Sequence, residues 1–132
     1  MKATIYHNPD CGTSRNTLAL LRHAGIDTQV VEYLITPPDR DTLLSLLRAA
    51  GLTPRQAARR ERTPFDALGL GDPTVSDEAI VDAMLVHPIL INRPFVVTER
   101  GTRLCRPSEI VLQIIPTLAT PFTKEDGTVV GA

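Results

Sequence analysis

The fold of this chain is decided by one stretch near its N-terminus, His7-Asn8-Pro9-Asp10-Cys11-Gly12-Thr13-Ser14-Arg15-Asn16. The apolar run before it, at 2–6, is typical of a β-strand, and the apolar spacing after it predicts an α-helix over 14–24 that Gly25 closes. Cys11 therefore lies in a turn from a strand to a helix. The free N–H groups and the positive dipole end of the helix stabilise a thiolate there, so we expect a lowered pKa for Cys11.

The residues around Cys11 limit the reactions that its thiol can carry out. Cys11 to Ser14 is a C-x-x-C motif whose second sulfur is replaced by a hydroxyl, so the site cannot resolve its own mixed disulfide and needs an outside thiol. A cysteine phosphatase loop, C-x5-R, would place arginine where Thr17 stands, and Arg15 comes too early in the loop to replace it. Any bound anion must therefore be held by arginines from elsewhere in the chain.

Length and composition limit the possible classes of protein. A chain of 132 residues is expected to form one domain, and a net charge of −1 argues against binding nucleic acid or a membrane through bulk electrostatics. No apolar run is long enough to span a membrane, no signal peptide is expected, and the two cysteines form no disulfide framework. We therefore expect a cytoplasmic protein. The three histidines and two cysteines show no zinc spacing, so no metal is expected.

The rest of the chain alternates between strand and helix signals. A second strand is predicted at 28–33, followed by a helical insertion over about 39–88, whose starts are marked by Asp39, Thr53, Thr63 and Ser76. The second of these helices is predicted to reach Arg60, and the third is predicted to be short and to end near Gly69.

The C-terminal part predicts a strand at 95–98, a turn at 99–102, a return strand at 103–106, a closing helix from Ser108 to Pro116 and a loose tail from about 117. The fold class is α/β with a thioredoxin-like mixed sheet, in the order β-α-β, helical insertion, β-β-α, within a single domain of residues 1–132. In that fold a cis-proline opens the third strand beside the reactive cysteine, and Pro94 stands at that place.

Three segments in this order resemble glutaredoxin-dependent arsenate reductases. The first is Tyr6 to Pro9 with Cys11 to Asn16, the second is His87-Pro88-Ile89-Leu90-Ile91-Asn92-Arg93-Pro94, and the third is Gly101-Thr102-Arg103-Leu104-Cys105-Arg106-Pro107-Ser108-Glu109. The resemblance covers about residues 3 to 127, and the tail after Gly127 is shorter than expected for the family.

The resemblance implies an activity. The Cys11 thiolate would attack arsenate with loss of water or hydroxide, glutathione would attack the thiol–arsenate adduct, and glutaredoxin would reduce the resulting mixed disulfide as arsenite leaves. No cofactor would be bound, and glutathione would act as a co-substrate. The family also implies three arginines around the sulfur that hold the oxyanion, here Arg59, Arg93 and Arg106. Helix phase alone does not separate Arg59 from its neighbour Arg60, because adjacent helical residues point about 100° apart.

Other residues near the site have two interpretations each. His7 either hydrogen-bonds the thiolate or is a strand-end residue that faces solvent. Ser14 is expected to cap the helix or support the loop, and Cys105 to be a buried structural residue.

The sequence is also consistent with four other functions. They are a thioredoxin-fold regulator that binds RNA polymerase, a reductase-like protein without arsenate activity, a monothiol glutaredoxin-like enzyme and a pure binding module. The regulators typically keep an intact C-x-x-C pair, which Ser14 breaks, and a glutaredoxin-like enzyme would not need three convergent arginines.

Overall fold

The computed structural model describes residues 1–131, which fall into two compact units. One unit comprises Met1–Glu32 and the residues from Arg93 onward, and the other comprises Tyr33–Asn92. The first unit contains a four-stranded sheet and Cys11, and the second contains three α-helices and a 3₁₀ helix. The second unit spans the region predicted as a helical insertion, and the single domain over the whole chain stays a prediction.

The first unit is built on a four-stranded mixed sheet in the order β2-β1-β3-β4. The strands are β1 (Lys2–His7), β2 (Asp27–Glu32), β3 (Phe95–Thr98) and β4 (Gly101–Leu104). The strands β1 and β2 are parallel and are joined by α1 (Gly12–His23), whereas β3 is antiparallel to both β1 and β4. This arrangement confirms the predicted thioredoxin-like mixed sheet.

The core of this unit lies between the sheet and α1. Alternate residues of a strand share one face, so Ala3, Ile5 and His7 of β1 are all buried on the same side. Leu18 and Leu21 of α1 pack into the same core from the helix. The buried face of β1 thus ends at His7, directly before the turn that contains Cys11.

The three α-helices of the second unit begin at the capping residues that the sequence indicates. They are α2 (Arg40–Ala50), α3 (Pro54–Ala57) and α4 (Asp77–Val86), followed by a 3₁₀ helix at Pro88–Leu90. The side chains of Asp39, Thr53 and Ser76 accept hydrogen bonds from backbone N–H groups in the first turns. Gly51 ends α2 at φ 70°, a conformation that favours glycine.

Two predictions for this unit are wrong. The helix expected to reach Arg60 ends at Ala57, because Ala58 is extended and pairs with Ile91, while the Arg59 N–H donates to the Leu90 carbonyl at 2.7 Å. The helix expected after Thr63 is a series of turns. There the Thr63 hydroxyl hydrogen-bonds to two backbone carbonyls, a local alternative to helical bonding.

Two boundaries near the C-terminus also differ from the prediction. The return strand lies at Gly101–Leu104 instead of 103–106, because the turn is tight and Thr98 pairs with Gly101. The closing helix is a 3₁₀ helix over Ser108–Ile114. It ends before Ile115, which is extended, as is favoured for a residue that precedes proline.

The tail differs from the loose segment that was expected. It forms a small hairpin of β5 (Phe122–Thr123) and β6 (Val129–Val130). Val130 is buried in the core of the first unit, and the Lys124 ammonium lies 3.2 Å from the Glu109 carboxylate. Apolar packing and ion pairs therefore attach the tail to the unit that contains Cys11.

Candidate active site

Cys11 is the N-cap residue of α1, and the turn before it is held by its own polar groups. The Cys11 N–H donates to the Asn8 carbonyl at 3.0 Å, and the Asn8 side-chain oxygen accepts from the Asp10 N–H at 3.0 Å. The Cys11 carbonyl accepts the first helical bond, from the Arg15 N–H at 2.9 Å. The thiol is partly exposed. The strand-to-helix turn predicted for Cys11 is therefore present.

Two of the three predicted arginines lie at the Cys11 sulfur. Nη1 of Arg106 is 3.4 Å from Cys11 Sγ and also donates to the Arg93 carbonyl at 3.0 Å. The Arg93 side chain also hydrogen-bonds to the Cys11 thiolate and is buried. The Arg93–Pro94 bond is cis, as the resemblance implied, and so is Arg106–Pro107. The fold thus brings two guanidinium groups to one sulfur from segments far apart in sequence.

The electrostatics of the site favour the thiolate. Burial by itself raises the pKa of Cys11, but the Ser14 backbone N–H and the Arg106 and Arg93 side chains oppose it, and the net pKa is lowered from its ordinary value. Helix N–H groups and neighbouring cations are the usual causes of an activated cysteine. The sequence prediction of a lowered thiol pKa is therefore confirmed.

The side chains of Ser14 and His7 are buried next to this turn and form hydrogen bonds that hold it. Ser14 is fully buried, and its hydroxyl lies 2.6 Å from His7 Nδ1 and accepts from the Asn8 N–H at 3.1 Å. His7 is 6% exposed, so it does not face solvent. Burial, aided by Arg22, lowers the pKa of His7, which favours the neutral imidazole. The Ser14 hydroxyl thus supports the loop, while its backbone N–H stabilises the sulfur.

Arg59 belongs to the other unit. Its side chain is 19% exposed, Nη2 lies 3.4 Å from Glu61 Oε2, and Nε is buried without a hydrogen-bond partner among the described residues. The adjacent Arg60 is mostly exposed, pairs with Asp66 at 2.8 Å and lies over the Phe65 ring. The Arg60 guanidinium is thus already paired with a carboxylate, whereas the Nε–H of Arg59 has no acceptor among the described residues. The role of Arg59 at the oxyanion stays a prediction.

The second cysteine cannot resolve a disulfide at Cys11 in this fold. Cys105 follows β4, is fully buried, and its N–H donates to the Pro94 carbonyl at 2.9 Å. Burial raises the pKa of Cys105 to about 12. It is therefore a buried structural residue, as predicted, and Cys11 is the more accessible of the two thiols.

Sequence reasoning missed two features of the site. Asn8 shapes the turn through its side chain, and the pattern Asn-Pro-Asp could have indicated this. Arg15 donates from Nη1 to the Pro9 carbonyl at 2.9 Å and forms an ion pair with Glu125 at 3.0 Å. No local signal could have found that pair, because its two residues lie far apart in sequence.

Among residues 1–131, no three His, Cys, Asp or Glu side chains are grouped so that they could bind a metal ion. No helix in this part of the chain has the length and apolar character that a membrane crossing requires.

The fold and the site together define a thioredoxin-like protein with a single activated thiol at the start of its first helix. The profile of the ArsC family matches residues 6–114, and the chain belongs to that family.

Curated relatives and a solved structure are similar over nearly the whole chain. The chain is 66% identical to "Arsenate reductase" of Rhizobium meliloti (strain 1021), over 98% of this chain and 94% of that protein. It is 54% identical to "Arsenate reductase" of Escherichia coli, over 94% of this chain and 89% of the relative. The structure titled "Arsenate reductase from Vibrio cholerae" is 45% identical and superimposes with a TM-score of 0.83, covering 87% of this chain and 98% of the other.

Proposed function

We propose that this chain is an arsenate reductase in which Cys11 is the nucleophile and glutathione and glutaredoxin are the reductants. Membership of the ArsC family and 66% identity to a curated arsenate reductase support the activity. One observation carries the assignment of the site, namely the contact between Arg106 Nη1 and Cys11 Sγ at 3.4 Å. A guanidinium at a thiolate both activates the nucleophile and binds the oxyanion that it attacks.

The first step joins sulfur to arsenic. Arsenate is mostly dianionic near neutral pH, and Arg93 and Arg106 offset that charge as the Cys11 thiolate approaches. The S–As bond forms and one As–O bond breaks, with hydroxide or water as the leaving group. Arsenic stays pentavalent in this adduct, so no reduction has occurred yet.

Glutathione then supplies the electrons. Its thiolate attacks the Cys11 sulfur, the S–As bond breaks, and the bonding pair goes to arsenic, which leaves as trivalent arsenite. Cys11 remains as a mixed disulfide with glutathione. A glutaredoxin thiol attacks that disulfide and regenerates the Cys11 thiolate. Ser14 has no sulfur and Cys105 is buried, so the thiols after the first must come from outside the chain, and a reducing cytoplasm would supply them.

An omission assay tests the proposal. Arsenite production is measured with glutathione and glutaredoxin both present, and then with each one omitted. We expect turnover only with the complete system, and none in Cys11→Ser, whose fold is checked by circular dichroism. Full turnover without glutaredoxin, or any turnover in Cys11→Ser, would reject the proposed mechanism.

A further inference from the structure

Arg15 joins the turn before Cys11 to the C-terminal hairpin. Its Nη1 donates to the Pro9 carbonyl at 2.9 Å, while Nε and Nη2 donate to the two carboxylate oxygens of Glu125 at 3.0 and 3.1 Å. This is the bidentate arginine–carboxylate arrangement, which fixes both distance and orientation. One guanidinium thus connects a carbonyl two residues before the nucleophile to a residue near the C-terminus.

Glu125 is itself held in place by several contacts. Its backbone N–H donates to the side-chain oxygen of Asn16 at 2.9 Å, so both ends of the residue contact α1. The preceding residue, Lys124, forms an ion pair with Glu109 at 3.2 Å, and Val130 in the next strand of the hairpin is buried in the core. The carboxylate is therefore presented to Arg15 by a fixed piece of backbone.

The ion pair lies over Gly12, the residue that follows Cys11. A side-chain carbon at Gly12 would lie 3.5 Å from Arg15 Nη2 and 4.0 Å from Glu125 Oε1. The pair is thus near both sides of the nucleophile: Arg15 donates to the Pro9 carbonyl, and a Cβ at Gly12 would be within van der Waals range of both side chains.

We propose that Glu125 is a positioning residue, which acts through Arg15 to keep the turn at Pro9–Gly12 in the geometry that presents the Cys11 sulfur to the Ser14 N–H and to Arg106. The side chains of Arg15 and Glu125 are 44% and 51% exposed, and exposed pairs contribute little to folding stability. The effect of the pair is therefore on geometry, where a displacement of about 1 Å in a catalytic group can cost up to about 100-fold in rate. This inference adds a positioning residue to the site of the proposed function. It rests on the proposed function wherever arsenate turnover is the quantity measured.

Alkylation of Cys11 tests the proposal without arsenate. The rate with iodoacetamide is measured across pH for the native chain, for Glu125→Gln, and for Glu99→Gln as a control with the same charge change in the β3–β4 turn. We expect Glu125→Gln to lower the alkylation rate near neutral pH by about threefold to tenfold, which is less than the loss expected if the sulfur were displaced by about 1 Å. The midpoint of the pH profile should move to higher pH. Glu99→Gln should match the native chain, and the melting temperature should hardly change.

The direction of the change separates positioning from simple electrostatics. Removing a negative charge near a thiolate would by itself favour the thiolate and speed alkylation. A faster or unchanged rate in Glu125→Gln would therefore overturn the proposal. Glu125→Asp is a second variant, which keeps the charge but shortens its reach by one methylene. Positioning predicts a slower rate for it, whereas a pure charge effect predicts no change.

A double-mutant cycle tests whether Glu125 acts through Arg15. In an Arg15→Ala background, Glu125→Gln should have no further effect on alkylation, and additive losses would contradict the proposal. Arsenate turnover is measured in parallel. A chain that passes the alkylation tests but makes no arsenite rejects the proposed function and leaves the positioning role standing. Native arsenite production with unchanged alkylation in Glu125→Gln rejects the positioning role alone.

Discussion

Replacing Arg106 by glutamine should weaken the thiolate of Cys11. The change removes the positive charge that lies 3.4 Å from Sγ and leaves an uncharged polar side chain of shorter reach. The Ser14 N–H and the Arg93 side chain still hydrogen-bond to the sulfur. The change in the pKa of Cys11 therefore reports the contribution of the Arg106 guanidinium alone.

The distance sets the size of the effect. Two unit charges separated by 3.4 Å attract by about 1.2 kcal/mol at the dielectric of water and by about 5 kcal/mol at an effective dielectric of about 20. Because Cys11 is partly exposed and water screens the pair, the smaller value is the minimum effect. Losing about 1.2 kcal/mol lowers the fraction of thiolate about eightfold at any pH well below the pKa of the thiol.

The assay is the pH dependence of Cys11 alkylation. The sign follows from the lowered pKa: removing the cation raises the pKa of Cys11, so the rate falls most at low pH and recovers at high pH. Arg106→Lys keeps the charge and should retain most of the reactivity, and Arg100→Ala, in the β3–β4 turn, should behave like the native chain. A profile for Arg106→Gln that overlays the native one would refute the claim that Arg106 activates the sulfur.

Three further predictions concern Arg59, Ser14 and Cys105. Arg59→Gln should raise the KM for arsenate at least tenfold, which corresponds to the loss of about 1.4 kcal/mol of charge-assisted hydrogen bonding. Arg60→Gln should leave the KM unchanged. Equal effects of the two substitutions in steady-state assays would contradict the choice of Arg59. Ser14→Ala should lower the free energy of unfolding in urea by about 1–3 kcal/mol, because a buried N–H and a buried imidazole lose their partner. An unchanged urea midpoint would show that this hydroxyl does not support the turn. Cys105→Ala should keep kcat within about twofold and cost about 1 kcal/mol of stability for a small cavity; a large loss of turnover in the folded variant would mean that Cys105 takes part in the chemistry.

Local chemistry made much of the fold predictable. Asp39, Thr53 and Ser76 each mark a helix start because their side-chain oxygens satisfy backbone N–H groups within three residues, and Gly51 marks an end because it adopts a positive φ. The apolar run before Cys11 and the helical spacing of apolar residues after it placed this residue at a helix start. These features depend only on neighbours in sequence, so the sequence alone is sufficient to find them.

Features that depend on distant residues were predicted poorly. Ala58 is extended because it pairs with Ile91, and no pattern near Ala58 indicates that partner. The tail is held by Val130 in the core, although its composition is polar and rich in turn residues. The contact of Arg106 with Cys11 was expected mainly through the family resemblance, and the ion pair between Arg15 and Glu125 was not expected at all. Such contacts are set by tertiary packing, which overrides local propensity.

A crystal structure of the chain with bound arsenate shows whether Cys11, Arg93 and Arg106 form the arsenate site. We expect arsenic at Cys11 Sγ, either bonded to it or in contact with it, and arsenate oxygens that accept hydrogen bonds from the guanidinium groups of Arg93 and Arg106. Arsenate bound away from Cys11, or bound at Cys11 with neither guanidinium in contact, would contradict it.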